Sequence, residues 1–102
     1  MLELRPNCEL CDVDLPPDST EARICTYECT FCATCVETVL GNVCPNCGGG
    51  FEQRPIRPAQ AWRDGTGLVN DAPGANRRHT PYDREEIEAF SRSLREVLPA
   101  ER

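Results

Sequence analysis

The sequence predicts a small α+β domain that bound metal stabilises, and three observations lead to this prediction. The chain has 102 residues, of which only 6% are aromatic, so it can bury little apolar surface. Eight residues are cysteine, and all of them lie in the first half of the chain. They occur in closely spaced pairs, which suits metal binding. Metal would then take the place of a large apolar core.

Each pair of cysteines has a spacing that suits a shared metal ion. A short spacer lets the chain turn sharply, so that both sulfurs face one ion. Pro45 lies inside the last pair, and Gly48 follows it, where a tight exit needs a positive φ. Structural zinc takes four ligands, so eight cysteines complete two sites, and we expect two structural Zn²⁺ ions as cofactors. The pairs are Cys8–Cys11, Cys25–Cys29, Cys32–Cys35 and Cys44–Cys47.

The N-terminal residues indicate the compartment. Residues 1–6 have neither the basic start nor the apolar stretch of a signal peptide. No apolar run approaches the roughly 20 residues of a membrane helix. We therefore expect a cytoplasmic protein without a membrane partner, and reducing conditions there favour zinc thiolates over disulfides.

Regular structure is expected to be short within residues 1–53. Residues 36–40, which follow Cys35, predict a short helix ended by Gly41. Residues 22–24 and 1–4 predict short strands.

The complete cysteine spacing resembles that of the RING finger family. It reads Cys-x2-Cys-x13-Cys-x3-Cys-x2-Cys-x2-Cys-x8-Cys-x2-Cys. Residues 29–36 are similar to that family's His-x-Phe-Cys-x-x-Cys-Ile stretch, with Cys29 in the place of the histidine, and residues 44–47 are similar to its closing Cys-Pro-x-Cys. The chain also resembles a family of small bacterial eight-cysteine proteins of unknown function, which begin with a similar Leu-Glu-Leu-Arg-Pro segment. Both resemblances end near residue 58.

The RING resemblance implies an interleaved, or cross-brace, arrangement of two zinc ions. Spacing alone leaves a sequential arrangement open, in which the first four cysteines bind one ion and the last four bind the other. The matches at Phe31 and Pro45 favour interleaving. In that arrangement zinc 1 is bound by Cys8, Cys11, Cys32 and Cys35, and zinc 2 by Cys25, Cys29, Cys44 and Cys47.

The second half of the chain predicts a linker followed by one helix. Residues 54–79 are rich in Pro, Gly and Arg without hydrophobic periodicity, and we interpret them as an extended linker. Thr80 as N-cap and Pro81 at the first position begin an amphipathic helix over 81–98. Its stripe predicts packing on its own domain or self-association with a second copy, and a partner-binding helix stays open. The stripe is formed by Ile87, Phe90, Leu94, Val97 and Leu98. The predicted domains are thus 1–53, 54–79 and 80–98.

The charge balance disfavours nucleic acid as a partner. The formal net charge is −6, and all 11 basic residues are arginine. Eight thiolates on two zinc ions would add four further negative charges, all within residues 1–53. Contact with this acidic module accounts for the linker arginines better than nucleic acid does. These are Arg54, Arg57, Arg63, Arg77 and Arg78.

Binding, rather than catalysis, is the predicted activity. Two ions saturated by thiolates leave no open position for water or substrate, and the single histidine, His79, lies far from the cysteines, so we assign no catalytic residue. The RING resemblance implies a ubiquitin-ligase-type scaffold that docks a conjugating enzyme without a covalent intermediate, in a bacterial ubiquitin-like pathway. Gly48 departs from the basic residue that such ligases commonly carry. The alternative is a structural or regulatory zinc protein that binds a protein partner mainly through the 81–98 helix. The docking positions implied by the resemblance are Leu10, Val39, Leu40 and Pro45.

Overall fold

The computed structural model describes all 102 residues as a small α+β fold with a three-stranded sheet. Helix α1 runs directly into a π-helical turn, Val36–Leu40, and the chain ends in a 3-10 turn, Pro99–Glu101. No helix is both long and apolar enough to cross a membrane. The elements are β1 (Ala22–Ile24), β2 (Thr30–Cys32), α1 (Ala33–Cys35), β3 (Glu52–Gln53) and α2 (Arg84–Leu94).

The sheet lies at the centre of the fold and has the order β2-β1-β3, with both pairings antiparallel. Arg23 of β1 pairs with Phe31 on one side and Gln53 on the other. The Phe31 side chain is completely buried, and its ring meets that of Phe51 edge-on at 5.5 Å between centroids. Six of the eight cysteines belong to the same core, so the sulfur atoms supply much of its apolar contact.

The short elements agree with the sequence at two places and disagree at a third. The predicted strand 22–24 and the predicted helical turn 36–40 are confirmed, and Gly41 ends the turn in the left-handed conformation, with φ of 57°. The predicted strand over residues 1–4 is wrong. This segment has no strand partner, and side-chain and loop contacts hold it instead: Arg57 donates to the Leu2 carbonyl at 2.6 Å, and Gly74 N donates to the Leu4 carbonyl at 2.9 Å.

Residues 54–79 contain no helix or strand, yet they lie against the first half of the chain. Arg54, only 1% exposed, is the main anchor of this segment. Its guanidinium donates to the carbonyl oxygens of Arg5 at 2.8 Å, Leu15 at 3.1 Å and Pro16 at 3.0 Å. Burial lowers the Arg54 pKa, since no carboxylate compensates the lost hydration. One side chain thus ties the start of this segment to two separate stretches of the N-terminal chain.

Two more arginines of this segment pair with acidic residues of the first half. Arg77 Nη1 lies 2.6 Å from Asp14 Oδ1, and Arg77 Nη2 lies 3.0 Å from Asp12 Oδ1. Arg78 Nη2 lies 3.3 Å from Glu3 Oε2. These pairs are exposed to water, which screens them, so they position the segment more than they stabilise it.

Helix α2 is shorter than predicted and has a different N-cap. Asp83 caps the helix, because its Oδ1 accepts a hydrogen bond from Glu86 N at 2.8 Å. The prediction of Thr80 as N-cap is wrong, since the buried Thr80 hydroxyl donates to Asn46 Oδ1 at 2.8 Å instead. The helix ends at Leu94.

The inner face of α2 packs on the π-helical turn. Ile87 and Ser91 are each 1% exposed, and Ser91 Oγ donates to the Leu40 carbonyl at 2.7 Å. Part of the predicted apolar stripe therefore packs within the chain's own fold. Phe90, at 39% exposure, and Leu98, at 66%, remain partly open to solvent.

Candidate metal centre

The first cysteine cluster consists of Cys8, Cys11, Cys32 and Cys35, whose Sγ atoms all lie within 4.8 Å of one another. The Cys11 and Cys32 sulfurs are 3.7 Å apart. A tetrahedral ion with Zn–S bonds of about 2.3 Å requires sulfurs about 3.8 Å apart, whereas a disulfide requires about 2.05 Å. All eight cysteines are free. The donor set and its spacing therefore fit a zinc ion and exclude disulfides in this conformation.

The second cluster brings together Cys25, Cys44 and Cys47, with Sγ atoms again within 4.8 Å of one another. Cys29 is not within that distance of all three sulfurs. Cys29 nevertheless lies next to Cys25, since the Cys29 carbonyl accepts a hydrogen bond from Cys25 N at 3.2 Å and the Cys29 thiol helps to lower the pKa of Cys25. Three sulfurs are thus grouped for a metal ion, and a fourth cysteine lies beside them.

Two thiols of the second cluster have strongly shifted pKa values, which favours binding of a cation. Hydrogen bonds from the Cys29 and Cys44 thiols lower the pKa of Cys25 to about 4. The same contacts with Cys25 and Cys29, together with burial, raise the pKa of Cys44. In the first cluster, burial raises the pKa of Cys35. Several thiolates cannot share such buried space without a positive charge, so metal binding here must displace protons.

Matching backbone turns position the first and last cysteine pairs. Asp12 N donates to the Cys8 carbonyl at 3.0 Å, and Gly48 N donates to the Cys44 carbonyl at 2.7 Å. Both donors have a positive φ, 65° at Asp12 and 81° at Gly48. The same four-residue step therefore brings the two sulfurs of each pair to one side of the chain.

A buried polar network joins these two turns. Glu9, inside the first pair, accepts hydrogen bonds from Arg5 Nη1 at 3.0 Å and from Thr30 N at 2.6 Å. Its second oxygen accepts from Asn46 Nδ2, inside the last pair, at 3.2 Å. The Thr80 hydroxyl completes the network on Asn46. Sequence reasoning missed Glu9 and Asn46, because carboxylates and amides are mostly exposed and nothing in the spacing marks Glu9 as buried or Asn46 as half-buried.

Comparison with known proteins assigns the chain to a family. Residues 1–57 match the family described as "Protein of unknown function (DUF1272)". The chain belongs to this family. A curated relative, "Uncharacterized protein R02474" of Rhizobium meliloti (strain 1021), is 71% identical over 59 residues, which are 58% of this chain and 70% of the relative. No solved structure matches the chain. The matched region holds all eight cysteines and Arg54, whereas α2 lies beyond it.

The four docking positions implied by the RING resemblance do not form an open surface. Leu40 is completely buried, because the π-helical turn places it in the core that also contains Ile87 of α2. Pro45 is also buried, and it lines a cavity of about 300 Å³ together with Ile87 and Phe90 of α2. Leu10 and Val39 are half-buried against the core. The helix thus lies over one side of the predicted docking position.

Gly48 occupies the point where α2 meets the last cysteine pair. A Cβ at this position would lie 3.4 Å from Leu94 Cδ1 and 3.5 Å from Phe90 Cζ. A Cβ would therefore meet α2 only at ordinary van der Waals distance, and the positive φ is what favours glycine where RING-type ligases commonly carry a basic residue.

Substitution Gly48→Ala is expected to lower the free energy of unfolding by about 1–2 kcal/mol, because a non-glycine residue is strained at this φ. Gly65→Ala is the matched control: Gly65 has a φ of 77°, but a Cβ there meets nothing within 4 Å. Denaturant unfolding should show similar losses for both variants, because the two φ angles are nearly equal and a Cβ at Gly48 meets α2 only at ordinary van der Waals distance. A clearly larger loss for Gly48→Ala would contradict this expectation and show that the added methyl group strains the contact with α2.

Proposed function

We propose that this protein binds two structural Zn²⁺ ions in an interleaved arrangement and serves as a RING-like protein-interaction module. The observation that carries the proposal is the grouping of the sulfurs. Cys8 and Cys11 lie with the third pair along the chain, while Cys25 lies with the fourth. A sequential arrangement would instead group neighbouring pairs. In this proposal Cys29 completes the second site, since its carbonyl already accepts a hydrogen bond from Cys25 N and its thiol influences the pKa values of Cys25 and Cys44.

Four thiolates around each ion leave no coordination position for water or substrate. Zinc bound in this way supplies folding free energy and no Lewis-acid chemistry. Two residues that lie between paired cysteines connect the sites, since the Glu9–Asn46 hydrogen bond holds one site in place relative to the other. What the module offers is therefore a rigid surface, and its activity is binding to another protein.

The elemental content of the purified chain tests the zinc sites. We expect two zinc ions per chain by elemental analysis, and two ¹¹³Cd resonances typical of four-thiolate sites after cadmium exchange. The variant His79→Ala should keep both ions, because His79 Nδ1 contacts the Thr80 carbonyl and neither cluster. A preparation that holds one zinc ion per chain, or an iron–sulfur absorption spectrum, would contradict the proposal.

A ligase-type adaptor that docks a conjugating enzyme is the narrower form of this function. Pro45 lies beneath α2 and Leu40 lies in the core, so such docking requires α2 to move. The favoured form is therefore a structural or regulatory zinc module, with α2 as part of its fold. Titration of the intact protein with a conjugating enzyme separates the two forms. Binding that Leu10→Ala weakens would support the adaptor, and no binding would remove it while leaving the zinc sites in place.

A further inference from the structure

A cleft of about 440 Å³ lies beside the first cysteine cluster, on a surface that includes none of the four implied docking positions. We call it the knuckle cleft. It opens between the turn after the first cysteine pair and the residues that lead into β1. Its volume is in the range of binding sites that take one or a few side chains. The residues that matter for binding are Cys11, Val13, Asp14, Leu15, Glu21 and Thr34.

The floor of the knuckle cleft is apolar. Leu15 is 3% exposed and forms part of the core, so it gives the floor a fixed position. Val13, by contrast, is 48% exposed, so about half of its surface is open to a partner. A side chain such as leucine that entered here would remove apolar surface of Val13 from water.

The rim of the knuckle cleft is negatively charged. Glu21 is exposed, and its carboxylate makes no hydrogen bond or ion pair within the chain. The Asp14 side chain is 80% exposed, and only its Oδ1 is engaged, by Arg77. Cys11, an exposed residue, belongs to the first cluster, which carries a net charge of about −2 when four thiolates hold one divalent ion. No basic residue lines the cleft.

Arg77 shows that the carboxylates at the edge of the knuckle cleft bind a guanidinium group. It donates to Asp14 Oδ1 at 2.6 Å and to Asp12 Oδ1 at 3.0 Å, from outside the knuckle cleft. The second oxygen of Asp14 and the carboxylate of Glu21 are left as acceptors for a further cation. Bidentate geometry and charge make arginine the best match for such acceptors.

We infer that the knuckle cleft binds a segment of a partner protein in which one apolar side chain is flanked by arginine or lysine. The apolar side chain lies on Val13 and Leu15, and the flanking cations face Asp14 and Glu21. The cluster charge in this argument rests on the proposed zinc binding, whereas the carboxylates and the apolar floor do not.

Peptide titration of the ¹⁵N-labelled, zinc-loaded full chain tests this inference. The probe is a terminally blocked Gly-Arg-Leu-Arg-Gly peptide, compared with Gly-Glu-Leu-Glu-Gly and Gly-Arg-Gly-Arg-Gly. We expect saturable amide shifts at Val13 and Thr34 with the first peptide only. Glu21→Gln should weaken its binding about three- to fivefold, as loss of an exposed ion pair does. Glu52→Gln removes an equal charge from β3, away from the knuckle cleft, and should leave the affinity unchanged.

Several results would overturn the inference. Equal shifts with the acidic peptide, or no saturable shift at millimolar probe, would show that the knuckle cleft does not select this chemistry. Shifts at the same amides on concentrating the protein alone would assign the cleft to a second copy of the chain. Zinc content measured on the same sample separates the two proposals. Two bound ions without peptide binding contradict only the inference, whereas peptide binding by a chain without zinc contradicts only the proposed function.

Discussion

Substitution Cys25→Ser is expected to unfold residues 1–53 as a whole, with loss of both zinc ions. Cys25 directly follows β1, and β1 pairs with β2, whose last residue is Cys32 of the first cluster. In the proposed interleaved arrangement, each ion would tie together segments that are distant in sequence. Zinc in a structural site contributes about 10–16 kcal/mol, which is as much as the whole stability of a small domain. On this proposal, we expect that neither half of the module persists without both ions.

Zinc content and the ¹⁵N spectrum of the variant measure this effect. We expect less than one zinc ion per chain and collapsed amide dispersion. Cys11→Ser, in the other cluster, should give the same result. The control is Thr26→Ser, which alters the exposed residue next to Cys25 without removing a sulfur. A Cys25→Ser protein that keeps one zinc ion and an ordered first cluster would show that the two sites fold independently, against the interleaved arrangement.

Local signals in the sequence predicted those parts of the fold that depend on local chemistry. A spacer of two or three residues lets both sulfurs of a pair reach one ion, so the pairs could be found without a structure, whereas spacing left open which pairs share an ion. The turn ended by Gly41 and the strand 22–24 also follow from neighbouring residues. The N-cap of α2 shows the limit of such reasoning. Thr80 and Asp83 are both good caps, and only the distant Asn46, which binds the Thr80 hydroxyl, decides between them.

Long-range contacts account for what the sequence could not reveal. Residues 54–79 have the composition of a linker. An irregular segment rich in Pro and Gly shows no hydrophobic periodicity, so the sequence does not reveal whether it packs against the rest of the chain. Arg54 nevertheless donates to carbonyl groups 38 to 49 residues away. The carbonyl groups that it meets are present in every residue, so the pairing leaves no trace in the sequence.

The docking surface illustrates the same limit at the level of function. The apolar stripe of α2 was visible in the sequence, but not the place where it packs. That place decides whether Pro45 is a binding surface or a core residue. A resemblance confined to the cysteine region carries no information about a helix outside that region.

Substitution Ile87→Ala is expected to lower the free energy of unfolding by about 2–5 kcal/mol and to detach α2 from the rest of the fold. Ile87 is 1% exposed and is the only α2 residue in the buried core, so a smaller side chain leaves a cavity there. An isolated helix of 11 residues is marginal in water, so α2 unfolds once it leaves this contact. Hydrogen exchange should show lost protection over residues 84–94, with protection retained at Phe31. Glu85→Ala, at an exposed position of the same helix, is the control.

The response of the zinc sites to Ile87→Ala decides what α2 is for. If both ions stay bound while Pro45 becomes accessible, α2 is a separable cover over the last cysteine pair. A conjugating enzyme that bound this variant but not the intact chain would then establish α2 as the element that blocks docking. If the ions are lost together with the helix, α2 belongs to the same cooperative unit as the sheet. The Ser91 hydrogen bond to the Leu40 carbonyl would then act as a structural tie, and the partner surface must be sought elsewhere, with the knuckle cleft as the first place to test.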